Sequence, residues 1–157
     1  MGLDMYLYAK KQKYASTYQR PEQCVYPDVL KELEKRIEKD NFKSCYFIEL
    51  YQIAYWRKFN ALHNWIVENK ANGIDECQEI ELGQEDIKAL VDIFQQVLKD
   101  HSKAKDLLPT CDGFFFGTQE YDEWYFNDMK YSVDIFKKIL QAMKKDEKLR
   151  LIYQASW

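Results

Sequence analysis

The sequence predicts an α+β protein that forms a single domain over residues 1–157. We expect a small, mostly antiparallel sheet that includes both terminal strands and is packed with about four helices. Three observations favour this class. The length of 157 residues fits one domain. Strand-like alternation occurs near both ends of the chain, and helical periodicity lies between them. Strands and helices do not alternate strictly, which counts against a doubly wound parallel sheet.

Alternation of apolar and polar side chains predicts strands at 2–9 and 149–157, and a brief strand at 78–82. In the first of these segments one face is apolar, whereas the other carries an acid and two tyrosines. We expect the first and last strands to pair, because this tethers both termini. The apolar face of the first strand comprises Leu3, Met5 and Leu7.

Apolar residues spaced by three and four predict the helices. The first predicted helix covers 27–40. A later one begins at Gly83, and the final one covers 121–145. The longest signal covers 48–66 and stops before Asn72-Gly73, a pair that favours the left-handed conformation at a helix end. We therefore expect one long central helix. Its apolar stripe comprises Ile48, Tyr51, Tyr55, Phe59, Leu62 and Ile66.

Three consecutive phenylalanines, 114–116, lie between Gly113 and Gly117. The segment follows Pro109, and this pattern predicts a short buried strand or a tight hairpin edge. Glycines also let a backbone approach a ligand closely. The segment is therefore a candidate both for the core and for a binding site.

Composition and charge exclude several classes of protein. The net charge is −3 with both signs interspersed, which counts against nucleic-acid binding. The four cysteines form no C-x-x-C pair, and with two histidines we predict no metal site and no cofactor. The start lacks a secretory pattern and no apolar run is long enough for a membrane span. We expect a cytoplasmic protein without membrane contact.

Aromatic residues make up 16% of the chain, with twelve Tyr, nine Phe and four Trp. So many rings exceed the need of a small core, so we expect some to line a pocket or a contact surface. The alternative is that they fill a core poor in smaller apolar residues.

The first polar constellation lies on the predicted central helix. Trp56, Asn60 and His63 are spaced by four and three, so a helix would place them on one face together with Arg57. Arginine supplies a fork of donors and histidine titrates near neutral pH, a combination that suits an anion or a planar polar ligand. The alternative is structural: Arg57 pairs with a carboxylate on a facing helix, and His63 bonds a backbone carbonyl.

The second constellation follows the phenylalanine run. Acids at 120, 122 and 123 flank Tyr121 and Trp124, and they suit the carboxylate side of a polar network with Arg57 or Lys58. The alternative is a helix N-terminus, where acids are stabilising whatever the function. The candidate ligand- or partner-binding residues are Trp56, Arg57, Asn60, His63, Phe115, Tyr121, Asp122 and Trp124.

The sequence contains no recognisable catalytic motif. It has no glycine-rich phosphate loop, no G-x-S-x-G elbow and no S-x-x-K. A Cys–His nucleophile requires Cys77 or Cys111 to meet His63 or His101, and no spacing indicates this. Whether the protein is an enzyme is therefore left open.

Motifs along nearly the whole chain carry a resemblance. They are MGLDMYL at 1–7, YWRK at 55–58 followed by Asn60, His63 and Trp65, LPT at 108–110, GFFFG at 113–117, YDEWY at 121–125 and YQASW at 153–157. With these motifs the sequence resembles a family of small, uncharacterised proteins encoded mostly by bacteriophages and prophages. The resemblance implies a phage context, in which small proteins often act on host machinery or host defence.

Three hypotheses follow. The first is a phage-encoded binding protein that acts on the host or its defence, either by sequestering a small anionic, nucleotide-like ligand or by blocking a host protein. The second is a small enzyme in which His63 acts as acid or base with Asp122 or Glu123. The third is an assembly protein that forms a homo-oligomer through Trp56 or Trp65.

Overall fold

The computed structural model describes residues 2–15, 45–114 and 116–157. The predicted helix at 27–40 and the candidate Phe115 lie outside these described residues. The chain divides into two compact units, Met1–Lys10 with Leu50–Trp157, and Lys11–Glu49. The residues that form the core and the site below belong to the first unit. A single domain over the whole chain stays a prediction.

The sheet has four antiparallel strands. They are β1 (Asp4–Ala15), β2 (Cys45–Arg57), β3 (Ile80–Leu82) and β4 (Arg150–Ser156). Their order across the sheet is β2-β1-β4-β3. The register of β1 and β4 runs from Asp4 opposite Ser156 to Lys10 opposite Arg150. The predicted pairing of the first and last strands is therefore confirmed.

The described residues also contain four α-helices. They are α1 (Asn60–Lys70), α2 (Gln84–Lys99), α3 (Ala104–Leu107) and α4 (Glu123–Lys145), with a 3-10 turn at His101–Lys103. The predictions of α2 and of the final helix are confirmed to within a few residues. The α+β class is confirmed as well.

The core lies on one face of the sheet. Met5 and Leu7 of β1 and the preceding Leu3 are fully buried, and Ala155 and Tyr153, which lie opposite Met5 and Leu7 on β4, are buried as well. These residues form one apolar cluster with the buried faces of α1, α2 and α4. Within it Phe94 of α2 and Phe136 of α4 stack with ring centroids 6.0 Å apart. Burying each such side chain contributes about 1.5–3 kcal/mol.

The predicted helix over 48–66 is wrong for its first half. Residues 45–57 form β2, and α1 begins only at Asn60. Near the end of β2 burial follows a period of two, since Ala54 and Trp56 are buried while Tyr55 and Arg57 are exposed. Pairing with β1 decides the outcome, because a segment rich in rings and β-branched residues suits a sheet. The predicted end is confirmed, with positive φ at 72 and 73.

Phe114 and Phe116 lie in a turn, and the described residues of 113–117 form neither the buried strand nor the hairpin edge that was predicted. The Phe116 amide donates to the Gly113 carbonyl at 3.0 Å, and Phe114 is 96% exposed. The Asn60 side-chain amide takes the carbonyls of Phe116 and Thr118, which a strand would need for its ladder. A buried side chain from another element thus determines this backbone.

Candidate functional site

A cleft of about 780 Å³ opens between the end of β2 and the start of α4. This volume lies within the range of small-molecule sites. The 117–122 segment forms a further wall, and Thr110 contributes to the lining. The side chains that determine its chemistry are Arg57, Lys58, Glu120, Asp122, Trp124 and Asp128.

The alternation of β2 divides Trp56 from Arg57. Trp56 points inward and is buried, and its indole N–H donates to the Ser132 hydroxyl at 2.8 Å. Arg57 points outward and remains exposed, with its Nε 4.0 Å from the Asp4 carboxylate on β1. Asp4 also accepts a hydrogen bond from the Tyr55 hydroxyl. Trp56 therefore forms the floor of the cleft, whereas Arg57 presents a cation at its edge.

Lys58 connects β2 to α1 in a left-handed conformation, with φ of 63°. Its amide donates to the Leu3 carbonyl at 2.8 Å, which holds this backbone against β1. Its side-chain stem lies against Gly117, which itself has φ of 89°. A Cβ at Gly117 would stand 3.1 Å from Lys58 Cβ. Such conformations cost about 1–2 kcal/mol in a non-glycine residue and concentrate at functional sites.

Asn60 is buried at the first position of α1, and all of its polar groups are occupied. Its Nδ2 donates to the carbonyls of Phe116 at 3.1 Å and Thr118 at 2.9 Å, while Oδ1 accepts from the Cys111 amide at 3.3 Å. Asn60 therefore positions the wall of the cleft and leaves no group for a ligand.

The acids of α4 differ in how they are used. Asp122 caps the helix, since its Oδ1 accepts from the Tyr125 amide at 3.0 Å. Asp128 lies half-buried six residues further along the chain, and no donor among the described residues bonds its carboxylate. Burial, followed by the charge of Asp122, raises the pKa of Asp128 to about 6. Asp128 is ionised at neutral pH but titrates close to it.

The opposite charges of the cleft do not neutralise each other. No ion pair within 4.0 Å joins Arg57 or Lys58 to Glu120, Asp122 or Asp128, all of which the structure describes. The cations and carboxylates of the predicted network therefore share one cleft, but they do not contact each other directly. Arg57 lies near Asp4 on the neighbouring strand instead of a carboxylate on a facing helix.

The aromatic candidates also separate into two groups. Trp124 stands at the rim and is 78% exposed, which is unusual for so large a ring. Tyr121 does not line the cleft but packs edge-on against Tyr125, with centroids 5.0 Å apart. The Tyr125 hydroxyl donates to the Leu108 carbonyl at 2.7 Å, and burial raises its pKa far above neutral.

His63 lies outside the cleft and is 2% exposed. Its Nδ1 is 2.7 Å from the Tyr153 hydroxyl and its Nε2 is 2.9 Å from Asp75 Oδ2. A tautomer protonated at Nε2 donates to Asp75 and accepts from Tyr153. His63 thus meets neither of the acids predicted for it, Asp122 or Glu123, and both of its ring nitrogens are occupied.

Cys111 lies half-buried beside this histidine cluster. Burial, with added repulsion from Asp75 and Asp112, raises the pKa of the Cys111 thiol to about 11. A thiol that stays protonated at neutral pH is a poor nucleophile. Among the residues that the structure describes, no three His, Cys, Asp or Glu side chains are grouped to hold a metal ion.

Sequence reasoning overlooked Asp128 and the pairing of Lys58 with Gly117. The available signal for Asp128 was an acid three residues after Tyr125, next to the buried face of a predicted helix. No local pattern indicated that Lys58 and Gly117 would touch, because the two residues are far apart in the sequence.

The fold and cleft define an α+β protein with a small-molecule-sized site of mixed charge. No protein-family model matches the chain, and neither a curated protein nor a solved structure shows significant similarity to it. In the described parts of the chain, no helix is long and apolar enough to cross a membrane. The resemblance to phage proteins stays a prediction.

Proposed function

We propose that this chain is a binding protein whose cleft sequesters a small anionic, nucleotide-like ligand. One observation carries the proposal: Arg57, Lys58 and the exposed ring of Trp124 line the same cleft of about 780 Å³. Cationic side chains pair with phosphate, and aromatic faces stack on bases. A volume of this size suits a ligand with both parts better than a simple anion.

The geometry around the cations supports binding in preference to turnover. The Leu3 carbonyl and contact with Gly117 hold Lys58 in its left-handed conformation. The backbone that carries its ammonium group is therefore constrained. Preorganisation of this kind lowers the entropy lost when a ligand binds. The histidine offered for acid–base chemistry is buried elsewhere, which disfavours the enzyme that uses His63.

The phage context that the sequence resemblance implies extends the proposal. A small phage protein that removes a nucleotide-like ligand from solution would act on the host or on its defence. The related possibility is that the same charged cleft blocks a host protein, with Trp124 as an exposed anchor. Sequestration predicts a small molecule in the cleft, whereas blocking predicts a protein bound over it.

Thermal unfolding in the presence of nucleotides tests the proposal. A nucleotide at about a hundred times its dissociation constant stabilises the native state by roughly 2.7 kcal/mol, which raises the Tm by roughly 5–10 °C for a chain of this size. Because Arg57→Gln removes a charged donor, we expect it to weaken nucleotide binding roughly tenfold. Its own stability should be nearly unchanged, since Arg57 is exposed.

The matched control is Arg150→Gln. Arg150 is equally exposed but lies on β4, where its Nε is 3.5 Å from Glu81, away from the cleft. The control should bind like the parent. Equal loss in both variants would indicate non-specific charge attraction, and no Tm shift with any nucleotide would refute sequestration and favour the blocking of a host protein.

A further inference from the structure

The cleft carries more negative than positive side chains, and this restricts the ligand. Glu120, Asp122 and Asp128 share the lining with Arg57 and Lys58. A ligand with negative groups alone would be repelled by three carboxylates while it paired with two cations. Ionised carboxylates accept hydrogen bonds and cannot donate them. The ligand of such a cleft must therefore present N–H or O–H donors as well as an anion.

Asp128 is the carboxylate that is best placed to accept such donors. Its oxygens receive no hydrogen bond from the described residues, whereas Asp122 already uses one oxygen to cap the Tyr125 amide. The Ser132 hydroxyl bonds the backbone carbonyl of Asp128 and leaves the carboxylate open. Asp128 also lines the same cleft as Trp124, which precedes it by four residues on α4, so both side chains are available to one ligand.

We propose that the ligand is a guanine nucleotide, with Asp128 accepting two adjacent N–H donors of the base while Arg57 and Lys58 hold the phosphate. This inference rests on the proposed function. A carboxylate has two oxygens that accept a parallel pair of donors. Guanine offers such a pair, the ring N1–H and the exocyclic amino group. Hypoxanthine lacks the amino group, xanthine has an oxygen in its place, and adenine sets an acceptor beside its donor.

Equilibrium binding of GMP, IMP and XMP at pH 7.5 tests the inference. We expect GMP to bind roughly tenfold more tightly than IMP, because IMP loses one hydrogen bond to a charged acceptor. XMP should bind more weakly still, since its oxygen faces a carboxylate. GMP and IMP share the phosphate, the ribose and the rest of the base, so their comparison isolates the 2-amino group.

The Asp128→Asn variant tests for a gain of affinity for XMP as well as for a loss of preference for GMP. An asparagine amide combines one acceptor with one donor, which complements the N1–H and the 2-oxygen of xanthine. We therefore expect the variant to lose its preference for GMP and to bind XMP at least as tightly. The matched control is Asp134→Asn on the same helix, where Asp134 pairs with Lys138 outside the cleft. The control should keep the order of the parent.

A pH series gives a second readout. The charged and titratable groups that share the cleft with Asp128 are Arg57, Lys58, Glu120, Asp122, Tyr55 and Tyr125. Since the pKa of Asp128 is raised to about 6, the preference for GMP over IMP should diminish as the pH falls from 7.5 to 5. In Asp128→Asn, the ratio of the two affinities should not change over this range.

The outcomes separate the two proposals. Equal affinities for GMP, IMP and XMP, all weakened by Arg57→Gln, would overturn the guanine assignment and leave nucleotide binding in place. A preference for GMP that survives in Asp128→Asn would also overturn it. Absence of binding by all three nucleotides would overturn the guanine assignment, whereas sequestration would be refuted only if no other nucleotide shifted the Tm either.

Discussion

Two polar clusters, one buried around His63 and one in the cleft, use similar residues differently. In the buried cluster, His63 bonds Tyr153 and Asp75 through both ring nitrogens. In the cleft, Arg57 and Asp128 share one cavity without an ion pair between them. The buried groups hydrogen-bond one another and therefore stabilise the fold. Under the proposed function Arg57 serves an external ligand, so Arg57→Gln should alter binding more than folding.

The largest expected effect comes from the buried cluster. His63→Ala deletes a fully buried ring and leaves the Tyr153 hydroxyl and the Asp75 carboxylate without their partner. We expect a loss of about 3–4 kcal/mol in the free energy of unfolding, from the cavity and the unpaired buried groups together. Urea denaturation measures it.

The neighbouring Asn64→Ala is the control, because Asn64 lies on the same helix and is more exposed than His63. It should cost well under 1 kcal/mol. If His63→Ala were as stable as the control, the buried cluster would not contribute to the fold, and the contrast with the cleft would disappear.

The second expected effect is an increase in the free energy of unfolding. The pKa of Asp128 is about 6 against an ordinary 3.8, so the native state holds this proton more tightly than the unfolded state does. The stability that the proton provides is present below about pH 4 and is lost as the pH rises to about 6. We expect Asp128→Asn to be more stable than the parent at pH 7.5 by about 1–3 kcal/mol.

Urea denaturation of both proteins at pH 4 and pH 7.5 measures this gain. The difference between variant and parent should be small at pH 4 and fully developed at pH 7.5. Asp134→Asn, on the exposed face of the same helix, should show no such pH dependence. A variant that is less stable than the parent at pH 7.5 would show that the carboxylate is satisfied within the protein, which would remove the distinction between the two clusters.

The smallest effect concerns the backbone of the cleft. Gly117→Ala places a Cβ at φ of 89° and 3.1 Å from the Lys58 side chain. We expect a loss of about 1–2 kcal/mol in the free energy of unfolding and weaker nucleotide binding, because Lys58 must move. Gly83→Ala is the comparison, since its φ is −87° and a Cβ there meets only ordinary contacts, so it should cost less than Gly117→Ala and only through the weaker N-cap that alanine makes for α2. Equal stability of the two variants would argue against a constrained Lys58.

Much of the fold follows from local patterns. The last strand could be predicted from the period of two in 149–157, and α2 and α4 from a period near 3.6. Each of these patterns contains a continuous buried face. The 48–66 segment was misassigned because its rings occur at spacings that a helix and a strand both tolerate. Only the partner strand β1 selects between them.

The candidate site was predicted in part. Arg57, Asp122 and Trp124 line the cleft, as do Trp56 and Asn60, although the last two serve mainly to build it. His63 was grouped with them on a helical face that does not exist at 56–57. Asp128 was missed, since an acid near an apolar stripe looks like a solvated helix residue until its neighbours are known.

The sequence by itself determined the α+β class, the pairing of the terminal strands and the identity of several charged and aromatic residues near the cleft. Periodicity and residue type are properties of short segments, so they are readable without the fold. Tertiary structure alone decided that Arg57 and Asp128 share a cavity while His63 is buried against Tyr153. Burial and unpaired charge depend on neighbours that are distant in the chain, and those neighbours meet only when the sheet and the helices come together.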